Sequence, residues 1–357
     1  MFRLSVCLIL IAHLATAQQF HEKEIRIPWA KAAPQGLQAL LVYADLPGKH
    51  PLVVMTHGTS RERQKRDEVS AWAMLPQATW FARRGWVALV AVRRGYGASG
   101  GRADYVDARG DYILAGEESA EDLRMAAEFG SKLPEVDPSR IIAVGVSTGG
   151  FATVALTANP PAGLVAAINF AGGRGSMSDH EVRNPGDLIG AYRYFGKHSR
   201  TPMLWIYAEN DHFFWPELAQ KFDVAFRQSG GQDQFIQAPA IGKDGHSLFG
   251  HVVAWSPVVD DFLKAQNLVA LSEPLPPPAA PDRPAPPGLS EDGLKAFKSY
   301  LLLGPHKAFA MSEHGFGIAV AQLETDSAKK RAIDNCKHSA PKGESCRVVS
   351  VDGETLP

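Results

Sequence analysis

The stretch Arg140–Phe151, RIIAVGVSTGGF, decides the fold. It begins as a β-branched apolar run typical of a strand and continues as small and apolar residues typical of a helix. The pattern G-x-S-x-G lies between the two, with Ser147 at its centre. Small residues around a serine allow a tight turn that lifts its hydroxyl out of a sheet, and the N-terminus of the following helix stabilises developing negative charge. We therefore predict Ser147 as a catalytic nucleophile; a plain Gly/Ser loop is the alternative.

A serine hydroxyl is a poor nucleophile on its own and needs a base that is held by a carboxylate. The apolar run 202–208 is followed by two carboxylates, Glu209 and Asp211. Asp211 lies where a loop residue can reach back toward the nucleophile, whereas Glu209 is still close to the end of the predicted strand. We predict Asp211 as the acid, with Glu209 as the alternative; either could instead be a helix cap or a solvated charge.

The base is expected last, in the chain order Ser, Asp, His. The segment 241–249, IGKDGHSLF, places His246 in a glycine-bearing loop between the apolar run 234–240 and a final helix. His251 falls at the start of that helix, and His212 directly neighbours the predicted acid. Chain order and loop placement therefore predict His246 as the general base.

Acyl transfer also needs two preorganised N–H donors that bind the oxyanion. One comes from the residue after the nucleophile, here Thr148, and the other from the turn after an early strand. The predicted strand 51–56 leads into His57, Gly58 and Thr59. We predict the main-chain N–H of Thr59 as the second donor, with Gly58 as the alternative and His57 as a side chain that stabilises the turn.

Around these motifs, short apolar runs alternate with longer amphipathic stretches. Near-continuous apolar strands separated by helices predict an α/β fold with a mostly parallel sheet and helices on both faces, in which reactive groups gather at the carboxyl ends of the strands. The predicted strands are 37–43, 51–57, 86–92, 140–146, 164–170, 202–208 and 234–240. The predicted helices are 71–84, 117–132, 149–159, 217–228 and 252–266.

Residues 18–271 resemble the α/β-hydrolase superfamily, and within it the branch that is similar to dienelactone hydrolases and prolyl oligopeptidases. The resemblance rests on motifs that occur in the expected order: THGTS (56–60), RRGYGASGG (93–101), GVSTGG (145–150), the loop of Asp211, and GHSLF (245–249). It implies an α/β-hydrolase fold and cleavage of an acyl bond. Ser147 stands where dienelactone hydrolases proper use cysteine, and the chain before it has no room for the propeller of the oligopeptidases.

Three further segments flank this region. Residues 1–17 have a basic residue, an apolar run and small residues at the end, which predicts a signal peptide; the run is shorter than the roughly 20 residues of a membrane anchor. Residues 272–288 are rich in proline and predict a semi-rigid linker. Residues 289–357 predict a small α+β domain without a concentrated set of catalytic residues, and we expect it to stabilise the protein or to bind an unknown partner.

Three cysteines are present, and one of them, Cys7, lies in the predicted signal peptide. The remaining two, Cys336 and Cys346, predict a disulfide, because such a pair is favoured in an oxidising periplasmic or extracellular space. A metal site or free thiols are the alternatives, and His338 is the close candidate for a further ligand.

The charge balance bears on the partners of the protein. Lys and Arg number 37 against 38 Asp and Glu, so the chain has no basic excess with which to neutralise nucleic-acid phosphates.

The insertion 172–200 carries aromatic residues that form either a lid over the site or a packing cluster, and its Asp179 and Glu181 are expected to be solvated charges.

These features together predict an exported serine hydrolase, periplasmic or secreted, without a stable membrane anchor. We expect it to cleave a carboxylic ester through an acyl-enzyme, with no metal and no organic cofactor. A serine peptidase acting on short peptides is the first alternative. A noncatalytic binding protein built on a hydrolase fold is disfavoured because all three triad residue types are present.

Overall fold

The computed structural model describes residues 20–103 and 110–356. The predicted signal peptide, residues 1–17, lies outside the described residues. Within the described part of the chain, every helix is either too short or too polar to cross a bilayer.

A large central sheet confirms the predicted α/β fold. Eight strands form it in the order β1-β2-β4-β3-β5-β6-β9-β10. Strand β2 pairs antiparallel with both β1 and β4, and the other neighbours are parallel. The strands are β1 Phe20–Ile27, β2 Leu37–Ala44, β3 His50–Thr56, β4 Val87–Ala91, β5 Val136–Val146, β6 Leu164–Phe170, β9 Met203–Ala208 and β10 Asp233–Ala238. Two short strands, β7 Ser176–Ser178 and β8 Glu181–Val182, pair separately with each other.

Helices cover both faces of this sheet, because its strands alternate buried side chains between two sides. In β5, Ile142 and Val144 pack in one core cluster with Trp80 and Trp255, whereas the intervening Ala143 packs in another. The helices of this part are α1 Leu75–Ala82, α2 Tyr112–Gly130, α3 Thr148–Ala158, α4 Pro185–His198, α5 Pro216–Gln228 and α6 Val252–Ala265. The predicted helix 71–84 is shorter than expected, since residues 71–74 form a 3-10 turn before α1.

A second, antiparallel sheet forms the C-terminal domain, as the α+β prediction required. Its strands lie in the order β12-β11-β13-β14. The elements are α7 Glu291–Leu301, β11 Ala308–Met311, β12 Phe316–Ala319, α8 Thr325–Ser339, β13 Arg347–Val351 and β14 Glu354–Thr355. Residues 274–286, within the predicted linker, have neither helix nor strand.

Cys336 and Cys346 are bonded to each other, as the cysteine pattern predicts. Cys336 is fully buried near the end of α8, and Cys346 directly precedes β13. The disulfide therefore connects the helix to the sheet of the C-terminal domain.

Replacing both cysteines by serine is expected to lower the free energy of unfolding of the C-terminal domain by about 2–4 kcal/mol. The reason is that the bond closes a loop in a small domain and so restricts its unfolded state. Hydrogen exchange of the amides of α8 and β13 in the full chain measures the change. The intact mass of the purified chain should be two hydrogens below that of the reduced chain, and alkylation of both thiols without reduction would contradict the pairing.

Candidate active site

Ser147 occupies the sharp turn between β5 and α3. Its φ of 57° and ψ of −123° lie in a region that non-glycine residues rarely adopt, and strain of this kind persists where the surroundings fix the backbone. Three main-chain hydrogen bonds do so: the N–H of Ser147 donates to the carbonyl of Phe170 at 2.9 Å, and the carbonyl of Ser147 accepts the N–H groups of Phe151 at 3.0 Å and Gly173 at 3.1 Å. The side chain is therefore held at the carboxyl end of the sheet, where α/β proteins place reactive groups.

Glycines on either side of Ser147 are required by the packing of the turn. A Cβ on Gly145 would lie 2.1 Å from the carbonyl oxygen of Gly149, and a Cβ on Gly149 would lie 2.5 Å from that of His57. A Cβ on Gly58 would lie 2.9 Å from the Cβ of Ser147. Gly145 is thus required by the tightness of the turn itself, and Gly149 and Gly58 by the close approach of the β3 and β5 turns.

Asp211 and His246 form a hydrogen-bonded pair, although they are far apart in sequence. The Nδ1 of His246 lies 3.0 Å from the Oδ2 of Asp211, whose side chain is fully buried. The other carboxylate oxygen, Oδ1, accepts the main-chain N–H groups of Phe213 at 2.7 Å and Phe214 at 3.0 Å. These bonds fix the carboxylate, so that it can hold the imidazole in one orientation.

The alternative candidates for acid and base lie in other surroundings. Glu209 is exposed just beyond the end of β9. The Nδ1 of His212 lies 3.5 Å from Asp179, and the Nε2 of His251 lies 3.5 Å from the hydroxyl of Ser247. The structure therefore brings Asp211 and His246 together and places these three elsewhere.

The imidazole of His246 is also held by aromatic contacts that the sequence analysis did not anticipate. Its ring stacks on Phe213, with centroids 4.0 Å apart and an interplanar angle of 8°, and meets Phe214 edge-on at 5.6 Å. Asp244 accepts the main-chain N–H of His246 at 2.9 Å and that of His212 at 3.1 Å, which joins the base loop to the acid loop. An aspartate two residues before a loop histidine is a recognisable capping signal, whereas Phe213 gives none.

Ser147 and His246 line one cavity of about 420 Å³, together with Gly58, Thr59 and Phe213. In the structure as described, no hydrogen bond joins the hydroxyl of Ser147 directly to the imidazole of His246. Such bonds are often long in unliganded enzymes and tighten when a substrate is bound.

Thr59 and Thr148, the predicted oxyanion donors, lie beside each other at the turn of Ser147. Their hydroxyl oxygens are 2.8 Å apart, and both residues line a second cavity together with Ser147. Thr148 is the first residue of α3, so its N–H is free of intrahelical bonds. Their neighbour His57 contacts the carbonyl of Gly58 through Nδ1 at 2.7 Å, the turn-stabilising position expected from the sequence.

The second cavity, of about 470 Å³, is rich in arginine. Among the described residues that line it, Asp111 is the acidic one, and its carboxylate caps α2 by accepting the N–H of Leu114 at 3.0 Å. Arg61 pairs with Asp179 at 2.8 Å, so this carboxylate of the insertion is already engaged. The lining arginines are Arg61, Arg63, Arg66, Arg174 and Arg183. The charged side chains in the part of the cavity lining that the structure describes are therefore mostly cationic.

The insertion 172–200 contributes both to this cavity and to the core. Tyr192 and Phe195 are fully buried and pack edge-on against Phe151 of α3, at 5.3 and 5.6 Å. Ser176 and Met177 line the arginine-rich cavity. Tyr192 and Phe195 of α4 thus belong to the core, whereas Tyr194 is exposed, and the β7 segment borders the site.

The sequence model of the dienelactone hydrolase family matches residues 39–240. No curated protein matches the chain in sequence.

The described residues contain no group of three or more His, Cys, Asp or Glu side chains arranged to hold a metal ion.

Solved structures share the fold at low sequence identity. The uncomplexed acylaminoacyl peptidase of Pyrococcus horikoshii is 17% identical with a TM-score of 0.53, and the match covers 72% of this chain and 43% of that one. An acylaminoacyl peptidase in complex with Z-Gly-Gly-Phe-chloromethyl ketone is 18% identical with a TM-score of 0.53, over 71% and 43%. The propionate-bound esterase of Thermogutta terrifontis is 18% identical with a TM-score of 0.49, over 71% and 97%. The chain spans less than half the length of the two peptidases, which indicate a common fold only.

Proposed function

The chain belongs to the dienelactone hydrolase family, and we propose that it is an exported serine hydrolase that cleaves a carboxylic ester through an acyl-enzyme. The observation that carries this proposal is the hydrogen bond between the buried Asp211 and His246, whose imidazole shares a cavity with Ser147 in its strained turn. These are the residue types, the chain order and the backbone geometry that activate a serine on an α/β sheet.

Each residue has a distinct task in the proposed reaction. With its Nδ1–H donated to Asp211, the imidazole of His246 has Nε2 as an acceptor. As the Oγ of Ser147 attacks the ester carbonyl, Nε2 takes the hydroxyl proton, and Asp211 stabilises the imidazolium. The main-chain N–H groups of Thr59 and Thr148 hold the tetrahedral oxyanion.

Collapse of this intermediate completes the cycle in two steps. The C–O bond to the leaving group breaks, and the imidazolium of His246 donates its proton to the departing alcohol. A water molecule, activated by the same imidazole, then attacks the acyl-enzyme, releases the acid and restores Ser147. The reaction consumes one water per ester, and the side chains named supply every proton transfer.

A peptidase is the second candidate, since the chain shares its fold with acylaminoacyl peptidases. The surroundings of Ser147 disfavour peptides that have a free N-terminus. A free peptide N-terminus is cationic and needs a carboxylate partner, whereas the larger cavity is lined with arginines. Asp179 is paired with Arg61, and Glu181 contacts Ser178. Neither carboxylate is therefore available to receive an amine without losing an existing partner.

A short-chain aryl ester is expected to give a higher kcat/KM than an aminoacyl anilide, by about 100-fold or more. Amide cleavage requires protonation of a poor leaving group and subsites that hold the chain in register, and about 2.7 kcal/mol of lost transition-state stabilisation corresponds to this ratio. The measurement is steady-state hydrolysis by the purified chain of a panel of aryl esters and aminoacyl anilides. An anilide that matches or exceeds the ester would favour the peptidase, and Asp179 and Glu181 would be the first residues to replace.

Export is supported by residues 1–17 and by the Cys336–Cys346 bond, which suits an oxidising compartment. We place the protein in the periplasm or outside the cell on this basis. Its C-terminal domain remains proposed as a stabilising or partner-binding module.

A further inference from the structure

Arg93 is a fully buried arginine two residues after the end of β4, directly behind the turn of Ser147. Its Nη2 donates to the hydroxyl oxygen of Thr148 at 2.9 Å and to that of Thr59 at 3.3 Å. Its Nη1 donates to the hydroxyl of Thr56 at 3.2 Å and to the carbonyl oxygen of His57. One guanidinium therefore contacts both residues that are predicted to bind the oxyanion.

We propose that Arg93 is a positioning residue of the oxyanion site, which acts through Thr59 and Thr148 rather than by touching the substrate. It fixes the spacing between the β3 turn and the start of α3, and it places a buried positive charge behind the N–H groups of that site. This inference rests on the proposed function, because an oxyanion forms only if Ser147 attacks an acyl carbon.

The hydrogen-bond network around Arg93 requires a planar guanidinium. The donors of arginine form a rigid fork that can serve several acceptors at once, whereas a lysine ammonium is a single point charge on a flexible stem. The hydroxyl of Thr59 also lies 2.9 Å from that of Tyr96 and 2.8 Å from that of Thr148. The main-chain N–H of Arg93 donates to the Nε2 of His57 at 3.1 Å. The network thus joins the ends of β3 and β4 to the first residue of α3.

The neighbouring Arg94 differs from Arg93, because its contacts are those of a structural ion pair. Its Nε donates to the buried carboxylate of Asp122 at 2.7 Å, and its Nη2 donates to Glu118 at 3.0 Å. Of the two residues, Arg93 is the one whose side chain contacts the residues around Ser147. No motif in the sequence distinguishes Arg93 from Arg94 as a functional residue.

The effect of Arg93 should appear in the transition state rather than in substrate binding. The ground-state carbonyl is neutral, whereas the tetrahedral intermediate carries a negative charge that a buried cation stabilises in a medium of low dielectric constant. Removal of one group that donates directly to the oxyanion lowers kcat by about 10²–10³. Arg93 lies behind those donors, so its removal should lower kcat less, by about 10–100-fold. We expect KM to change by less than about threefold, since uniform binding is not affected.

The test compares Arg93→Gln and Arg93→Lys with wild type, using Arg84→Gln as the matched control. The guanidinium of Arg84 lies 3.6 Å from the ring centroid of Trp80 and pairs with Asp260 at 2.6 Å, but Arg84 lines neither cavity at Ser147. The measurements are kcat and KM for an aryl ester and Ki for a trifluoromethyl ketone, to which the Oγ of Ser147 adds while its proton passes to His246. The adduct carries the oxyanion without a leaving group.

We expect Arg93→Gln to lower kcat 10–100-fold and to raise Ki by a similar factor, Arg93→Lys to recover part of both, and Arg84→Gln to change neither. A fall in kcat with unchanged Ki, or an effect of Arg93→Gln no larger than that of Arg84→Gln, would overturn the proposal. Turnover by the wild-type chain tests the proposed function separately, because only the ratio of variant to wild type tests Arg93.

Thr59→Val and Thr148→Val keep the test decisive if the Arg93 variants do not fold. Valine has nearly the shape of threonine but cannot accept the hydrogen bonds of the guanidinium. The double variant should lose kcat and ketone affinity together while KM is retained. If Arg93→Gln does fold, its effect in the double-variant background should be much smaller than in wild type, as coupled residues require. Additive effects would show that Arg93 does not act through the two threonines.

Discussion

Ser147→Ala is expected to abolish ester hydrolysis and labelling by a fluorophosphonate probe while the fold is retained. Loss of a triad nucleophile costs about 10⁶ in kcat, since the remaining groups have no atom to which the acyl group can transfer. Alanine keeps the Cβ of serine, and the hydrogen bonds that fix this turn come from the main chain, so α3 and β5 should be undisturbed. Hydrolysis of the aryl ester, gel fluorescence of the probe and the thermal midpoint measure these three expectations.

The control for this variant is Ser131→Ala at the C-terminal end of α2. The hydroxyl of Ser131 donates to the carbonyl of Glu128 at 2.9 Å and lines neither cavity at Ser147. This variant should label and turn over as wild type does. Retained probe labelling in Ser147→Ala would move the nucleophile to another residue and would remove the basis of the proposed mechanism.

The strands that lie inside the large sheet could be predicted from the sequence, and its first strand could not. Buried parallel strands are apolar on both faces and therefore stand out as continuous runs, as Arg140–Val146 does. Strand β1, FHEKEIRI, is an edge strand that exposes Glu22, Lys23 and Glu24. Charged residues are typical of exposed edges, where they discourage pairing with other chains, but they hide the apolar signal of a strand.

Helix boundaries depended on capping residues that the periodicity did not include. Helix α2 begins at Tyr112 rather than at the predicted residue 117, because Asp111 caps it through the N–H of Leu114. The apolar residues acquire helical spacing only after the first turn of α2, whereas the capping residue determines where the helix begins.

Chain order predicted the positions of the candidate site residues, but it did not predict the contacts that hold them in place. Asp211 and His246 each follow a strand of the parallel sheet, so the carboxyl ends of β9 and β10 bring them together. The contacts of Arg93 with Thr59 and Thr148 span 34 and 55 residues. A single sequence gives no indication that residues so far apart are neighbours in the fold. A charged residue after an apolar run is ordinarily a solvent-exposed residue at the end of a strand.

Asp211→Asn is expected to lower kcat by about 10⁴, because the imidazole would be held in the wrong tautomer. The Oδ1 of Asp211 accepts two main-chain N–H groups, from Phe213 and Phe214. The carbonyl oxygen of asparagine must take that position, which leaves its amide NH₂ at the place of Oδ2, 3.0 Å from the Nδ1 of His246. Nδ1 then accepts a hydrogen bond instead of donating one, and the proton of the neutral imidazole moves to Nε2, the atom that must accept the proton of Ser147.

Glu209→Gln is the matched comparison, since it makes the same chemical change two residues away on an exposed side chain. Its kcat should stay within about threefold of wild type, as surface changes remote from the reacting atoms usually do. Steady-state kinetics of both variants on one aryl ester, with thermal midpoints to confirm folding, ranks the two carboxylates. A larger loss in Glu209→Gln than in Asp211→Asn would assign the acid to Glu209. It would also imply that the loop after β9 rearranges before the imidazole can act as a base, because Asp211 is the carboxylate that His246 contacts.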